Sequence, residues 1–512
     1  VAAIDRLYQR AATHPHDIAL SGPAGDISYT QLRAAVDALA RALQEIDSTP
    51  GSRVGICARN TSQHLMMLLA TYAAGKVWVP LSPRNGRAEL DAMIAVTRPG
   101  ILVTDAASRD RFSPVSVPMI LAASDLTPDP HDRAPNSVSA LLTRYAGQQP
   151  FAHDRGDEDP QIIKFSGGST GTPKPVVQSV RCLDTQADGL RDFFEFQSDD
   201  VNLIAAPLTH GASCFVLPIL ERGGSHVLLE ETKPAGIFDA IARYGVTTMY
   251  APPTLLYALM EPSDRPAPQL GTLRHVIYSA APMPPERIKA CQRFFGPVIE
   301  TAYGQVEAPQ IISAMRAHEL LDEANYTSVG RPSPVVAVGI MNTDGALLPN
   351  GSVGEIVVAG PLLMSGYLDR EADTARTLVN GWLHTGDVGE IDDRGYLYIR
   401  GRLREVINSG GFKIYPGDVE AALVRHPAVA ECAAFGVDDA KWGEAVSAAV
   451  VLVAGAQASA AALIAFVKQE LGSVKAPKQI WFVESLARNA AGKVSRIGVK
   501  TTVLESGMPA AQ

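Results

Sequence analysis

After an apolar pair, Ile162 and Ile163, the chain reads Lys164-Phe165-Ser166-Gly167-Gly168-Ser169-Thr170-Gly171-Thr172-Pro173-Lys174-Pro175. From Ser166 onward every residue of this run is Ser, Thr, Gly, Pro or Lys. Such a segment has little propensity for helix or strand. Its glycines let backbone approach a ligand closely, and its hydroxyls and N–H groups suit phosphate oxygens. Lys174 adds a cation. The run is not a Walker loop, which places Lys directly after Gly and Ser or Thr directly after Lys. Here Thr172 and Pro173 separate Gly171 from Lys174, and Pro175 follows.

A loop of this kind has to be held by regular elements. Helical spacing of apolar residues over 2–12 comes first, then a strand-like start at Ile27 and a helix over 29–43. Residues 53–58 predict a short buried strand, 62–74 a helix capped by Ser62 and ended by Gly75, and 77–80 a second strand. Strand, helix and strand at this spacing imply a parallel sheet, and 90–96 with 100–104 repeat the pattern. Residues 127–159, rich in Pro, Asp, His and Ser, predict a surface connection. Beyond the loop come a helix over 182–194 and a strand over 201–206, from whose end Pro207-Leu208-Thr209-His210-Gly211 leaves. A helix of small residues over 212–220, a strand over 225–229, a helix ending at Tyr244 and strands over 247–251, 276–279 and 298–301 follow. From 335 to 398 short strands alternate with Gly and Asp turns, which predicts a distorted β-barrel. A separate segment of helices and strands runs from 418 to about 502.

The expected fold is α/β: a large N-terminal domain, 1–403, of parallel-rich sheets packed with helices plus the barrel, and a small mobile α+β C-terminal domain, 404–512. In open α/β sheets ligands sit beyond the carboxyl ends of the strands. That rule singles out the turns after the strands near 206, 279 and 301.

With 512 residues the chain can bury a large core, and 46% apolar with 19% charged residues is ordinary for a globular enzyme. Net charge is −9 with no basic stripe, which argues against nucleic acid as a partner. Cys57, Cys182, Cys214, Cys291 and Cys432 are scattered without metal-ligand spacing, as expected of reduced thiols in the cytoplasm. No apolar run is long enough to span a bilayer, so stable membrane insertion is not expected. Asp5, Arg6 and Arg10 interrupt the first residues, which lack a secretory core.

The run from Ser166 to Lys174 resembles the phosphate loop of the adenylate-forming superfamily, which includes acyl- and aryl-CoA ligases, peptide-synthetase adenylation domains and firefly luciferase. Pro175 stands where the usual residue is Gly. The resemblance extends along nearly the whole chain, with the motifs in order. It implies that Ser166, Gly167, Gly168, Ser169, Thr170, Gly171 and Lys174 bind ATP, with Thr170 also near Mg2+. Ser279-Ala280-Ala281-Pro282 resembles the wall beside adenine. Thr301-Ala302-Tyr303-Gly304-Gln305-Val306-Glu307 resembles the Tyr-Gly-x-Thr-Glu motif, so Tyr303 would stack on adenine and Glu307 would hold Mg2+. Val306 replaces the Thr that normally bonds the α-phosphate. Trp382-Leu383-His384-Thr385-Gly386-Asp387 resembles the ribose motif, with Asp387 accepting both hydroxyls and Arg402 contacting the sugar. Arg404 matches the hinge between the domains. Gly410, Gly411 and Phe412 match the border of the pantetheine channel, where a bulky side chain would block a thiol. Lys493, in Gly492-Lys493-Val494-Ser495-Arg496, matches the adenylation lysine, a mobile cation that lets carboxylate and phosphate meet.

Pro207-Leu208-Thr209-His210 resembles the Pro-Leu-x-His pattern of acyl- and aryl-CoA ligases, and no Asp is present there to hold an α-ammonium. The resemblance therefore implies a carboxylic acid other than an amino acid as substrate. His210, Gly211, Ser213, Ala280, Ala302 and Gly304 would line its pocket, with His210 as gate. The small residues suggest room for a bulky aryl or alicyclic acid. The implied cofactors are ATP, Mg2+ and coenzyme A. An acyl carrier protein is the alternative acceptor, and a non-catalytic nucleotide- or acyl-binding protein, motivated by Val306, is the reading from another class. A monomer or a homodimer fits equally.

Overall fold

The computed structural model describes residues 3–23, 25–112, 117–126, 134–166, 173–262, 269–488 and 494–506. Their contacts form two compact units, one grouping the described residues of 1–166, 174–337 and 358–383, the other those of 167–173, 338–357 and 384–512. The fold is α/β, with a large N-terminal part and a smaller C-terminal one. Among the described residues no helix is long and apolar enough to cross a membrane.

The first unit is built on two sheets. The seven-stranded sheet runs in the order Gly366–Tyr367, Pro175–Ser179, Pro160–Phe165, Val77–Pro80, Arg53–Cys57, Ile101–Asp105, Met119–Ala122. From Pro160–Phe165 to Met119–Ala122 the neighbours are parallel, and Pro175–Ser179 and Gly366–Tyr367 add an antiparallel edge. The central strands are mostly apolar and almost wholly buried because both faces are covered. The nine-stranded sheet carries Ile299–Tyr303, His275–Tyr278, Thr248–Tyr250, Val201–Ile204 and Ser225–Leu228 side by side and parallel.

Local chemistry moves three expected boundaries. The helix Ser62–Ala73 is capped by Thr61, whose extended backbone lets its hydroxyl accept from the His64 N–H; Ser62 is the first helical residue, and its hydroxyl donates to Asp125 instead. The segment expected to be a surface connection contains the helix Val138–Arg144, capped by Ser137 and anchored by buried Val138 and Leu141 three residues apart. The small-residue helix opens as a 3-10 turn, Gly211–Phe215, before becoming the α-helix Val216–Arg222.

Leu347–Leu348, Ala337–Met341, Gly354–Ala359 and Trp382–Ile391, most of whose residues belong to the second unit, lie side by side in a half-barrel sheet, with Leu397–Arg402 antiparallel to Trp382–Ile391. A further sheet orders Phe412–Ile414, Ile407–Ser409, Gly443–Leu452 and Val429–Asp439, with Gln479–Phe482 parallel to Gly443–Leu452. Side chains alternate across this sheet. Ala434 packs with Val419, Leu423, Leu463 and Val467 on one face. Its neighbours Ala433 and Phe435 pack with Trp481, Val499 and Val503 on the other. Helices Pro416–Val424 and Ala460–Lys475 thus cover one face, and Arg496–Glu505 the other.

Candidate active site

The strands on either side of the expected phosphate loop pair with each other. Pro160–Phe165 and Pro175–Ser179 pair antiparallel up to Phe165 and Pro175. Past them the Ser166 N–H donates to the Lys174 carbonyl at 2.9 Å, and the Lys174 N–H donates to Ser166 Oγ at 3.3 Å. Gly167, Gly168, Ser169, Thr170 and Gly171 lie outside the described residues. At the neck the Lys174 ammonium sits 3.4 Å from Asp373 Oδ1 and 4.9 Å from the centre of the Tyr367 ring.

Tyr303 ends its strand, as expected of a residue offered to a ligand. The chain then doubles back tightly: a Cβ on Gly304 would collide with the Gln310 backbone, and Gln310 itself takes a left-handed φ of 65°. This turn is gripped from two sides. Gln178 Nε2 donates to the Val306 carbonyl at 2.7 Å, and the Met364 N–H donates to the Glu307 carbonyl at 2.8 Å. The Glu307 carboxylate accepts from the Tyr367 hydroxyl at 2.9 Å. Burial, then the neighbouring Glu307 charge, pushes the Tyr367 phenol above its ordinary value, so it stays a donor. Among the described residues no cation pairs with Glu307, so this carboxylate suits a hard divalent cation. No cluster of three metal-ligating side chains occurs among them.

Ser279 is buried, and Ala280 takes a φ of 78°, rare for a residue with a Cβ. A strained backbone at the carboxyl end of a central strand marks a place of close approach. Thr301 and Ala302 are buried on the neighbouring strand, while Ala281 and Pro282 are partly or fully exposed. Sequence reasoning missed Tyr250, whose hydroxyl bonds Ser279 and whose ring stacks on Phe215 at 5.2 Å. Burial pushes its phenol up to about 12. A Cβ on Gly211 would run into this ring, so Gly211 makes room for Tyr250. The space that the small residues promise is therefore partly filled by an aromatic side chain. An aromatic residue at the end of a parallel strand was the signal that could have revealed it. His210 is exposed, with its Nδ1 2.9 Å from Thr209 Oγ1. Ser213 Oγ donates to the His210 carbonyl at 2.9 Å, and Lys164 Nζ donates to Ser213 Oγ at 3.1 Å.

In the second unit the two expected ribose residues meet. Asp387 and Arg402 are opposite each other in an antiparallel pair, and Arg402 Nε lies 2.8 Å from Asp387 Oδ1. The turn before Asp387 is fixed by Glu355, which sequence reasoning also missed. Its carboxylate accepts from the Gly386 N–H at 3.0 Å and contacts His384 Nδ1 at 2.8 Å. Arg404 is exposed in the 3-10 turn Leu403–Glu405. Gly410 and Gly411, with φ of 59° and 83°, form the two-residue turn between Ile407–Ser409 and Phe412–Ile414. A Cβ on Gly410 would come within 2.9 Å of the Trp442 ring, and Phe412 is exposed. Lys493 lies outside the described residues. Its flanks are tied together where Arg488 bridges Val494 and the Ser495 N–H donates to the Ala487 carbonyl. Just beyond, Arg496 forms ion pairs with Glu420 and with Glu405, next to Arg404.

Residues 7–368 match the family model described as AMP-binding enzyme, and residues 418–493 match that of the AMP-binding enzyme C-terminal domain. The chain belongs to the AMP-binding enzyme family. It is 32% identical over 499 residues to a medium/long-chain-fatty-acid–CoA ligase of Mycobacterium tuberculosis, covering 94% of this chain and 87% of that one. It is 30% identical to a feruloyl-CoA synthase of an Amycolatopsis species, covering 95% and 96%. Among solved structures it resembles the amide bond synthetase McbA from Marinactinospora thermotolerans, with a TM-score of 0.86, 32% identity and coverage of 98% and 99%. The adenylate-forming fold expected from the phosphate loop is thus confirmed along both family segments.

Proposed function

We propose that this member of the AMP-binding enzyme family is an AMP-forming acyl-CoA synthetase for a carboxylic acid that is not an amino acid. The acid's carboxylate attacks the α-phosphate of ATP, the bond to the β-phosphate breaks, and acyl-adenylate and pyrophosphate result. The CoA thiol then attacks the acyl carbon, and AMP leaves as the thioester forms. The observation that carries this reading is the cluster at the neck of the phosphate hairpin. There a cation for phosphate, Lys174, and a carboxylate with no cationic partner among the described residues, Glu307, share the side chain of Tyr367.

In this reading Ser166 to Lys174 bind the phosphates, Glu307 and Thr170 hold Mg2+, and Ser279 to Pro282 with Thr301 to Gly304 receive adenine. The ion supplies charge neutralisation at the phosphates when bound. Asp387 and Arg402 hold the ribose, and Lys493 brings the cation that eases the meeting of two anions. A C-terminal domain beginning at residue 404 turns about Arg404 between the half-reactions, and Gly410, Gly411 and Phe412 border the thiol's path. His210, Gly211, Ser213, Ala280, Ala302 and Gly304 line the acid's side, narrowed by Tyr250. The reaction belongs to the cytoplasm, where the thiols remain reduced.

A screen of pyrophosphate release over aryl, alicyclic, terpenoid and fatty acids tests the proposal. Acid-dependent release is expected; ATP binding without release for any acid would favour a non-catalytic binding protein. The likeness to an amide bond synthetase favours a second reading, in which an amine rather than a thiol takes the acyl group. Offering CoA, an acyl carrier protein and an amine to the same acyl-adenylate separates the acceptors.

A further inference from the structure

The proposed metal and phosphate groups are joined by a side chain that belongs to neither motif. Tyr367 lies on the edge strand Gly366–Tyr367, opposite Val176 of the strand that leaves the phosphate loop. Two more hydrogen bonds continue this zipper: the Ser365 N–H donates to the Val177 carbonyl at 2.8 Å, and the Leu368 N–H to the Pro175 carbonyl at 2.9 Å. The Tyr367 N–H donates to Thr374 Oγ1 at 2.9 Å, which also fixes this strand to the helix Glu371–Thr377. Its position is therefore set by backbone, independently of any ligand. From there its hydroxyl reaches Glu307 Oε1 at 2.9 Å, and its ring lies 4.9 Å from the Lys174 ammonium.

This arrangement has a chemical consequence. A carboxylate with one oxygen occupied by a phenol donor cannot rotate freely, so its other oxygen keeps one direction. A hard cation that tolerates little departure from octahedral geometry gains from such fixing. The ring face attracts the ammonium of Lys174 without adding a negative charge beside it. Asp373, 3.4 Å from the same ammonium, supplies the opposing pull.

We propose that Tyr367 is a positioning residue for the nucleotide–metal end of the site, aiming Glu307 through its hydroxyl and seating Lys174 through its ring. The inference rests on the proposed roles of Glu307 and Lys174. Tyr367→Phe removes the hydroxyl and keeps the ring; Tyr367→Leu removes both. Binding of a non-hydrolysable ATP analogue is measured by calorimetry across a Mg2+ titration, with circular dichroism to check folding. Tyr367→Phe is expected to raise the Mg2+ concentration for half-maximal binding about tenfold, as for loss of a hydrogen bond to a charged group, and to leave Mg2+-free affinity unchanged. Tyr367→Leu is expected to add a loss of about threefold or more in Mg2+-free affinity. In a Glu307→Ala background Tyr367→Phe should have no further effect on the Mg2+ dependence. An unshifted Mg2+ dependence in Tyr367→Phe, or an additive effect in the Glu307→Ala background, overturns the inference. Should Tyr367→Phe not fold, an unchanged Mg2+-free affinity in folded Tyr367→Leu overturns the seating role. Failure of the unaltered protein to bind the analogue at any Mg2+ concentration would instead refute the nucleotide-site reading beneath it.

Discussion

Replacing Asp387 by Ala isolates the proposed ribose site. The Asp387 side chain is only 5% exposed, and Arg402 pairs with it at 2.8 Å. Arg402 is 41% exposed and regains water when the carboxylate is removed, so the lost pair should cost folding only about 1–2 kcal/mol. The effect on the ligand should be larger. A buried carboxylate accepting from two ribose hydroxyls makes two charge-assisted bonds, at about 1.5–3 kcal/mol each, so their loss weakens binding by about 3–6 kcal/mol, or about 10²- to 10⁴-fold. Calorimetric titration with ATP and with 2′,3′-dideoxy-ATP reads this directly. The unaltered protein should prefer ATP by such a factor, and Asp387→Ala should bind both nucleotides alike and weakly. Equal binding of the two nucleotides by the unaltered protein, or preserved discrimination in Asp387→Ala, would refute the assignment.

Glu355→Ala leaves the Gly386 N–H and His384 without their shared acceptor, and the loosened turn should raise the KM for ATP about tenfold with little change in kcat, as measured by pyrophosphate release. Gly211→Ala drives a methyl group into the Tyr250 ring; an overpacking cost of about 1–3 kcal/mol should appear as a lowered urea midpoint, and turnover of the bulkiest accepted acid should fall most. Burial raises the Cys57, Cys182 and Cys291 thiols from an ordinary 9.0 to about 12. Their protonated form is favoured in the folded state, so the stabilisation is complete below pH 9 and is lost as pH rises towards about 12. At pH 8 these three should resist iodoacetamide in the native protein and react after denaturation, which peptide mass spectrometry can follow.

The sheet framework was legible because its central strands are short, mostly apolar and spaced by helices, and that pattern has few alternative folds. The strand end at Ser279 was legible for the same reason, since an apolar run stops there, whereas Tyr303 was named from its motif. Capping was less so. Thr61 and Ser62 can both cap, and only the backbone angles select Thr61. Asp387 and Arg402 were named separately from their motifs, while their contact comes from an antiparallel register that no local pattern encodes. Tyr250, Glu355 and Tyr367 escaped because each acts on a residue far away in sequence. Tyr250 and Glu355 still left a trace, an aromatic or polar side chain at the margin of an apolar strand, whereas Tyr367 lies on a strand of only two residues. Gly410 and Gly411 illustrate the opposite limit. A two-residue hairpin turn requires left-handed backbone there whether or not a thiol passes.

The central claim is that the phosphorus attacked is the α-phosphorus, with Lys493 assisting. Chromatography of the nucleotides formed with an accepted acid and CoA measures this most directly, comparing the unaltered protein with Lys493→Ala. AMP in step with thioester is expected, with Lys493→Ala making neither from acid and ATP yet still forming thioester from supplied acyl-adenylate. ADP as the product, or equal loss of both half-reactions in Lys493→Ala, would contradict it.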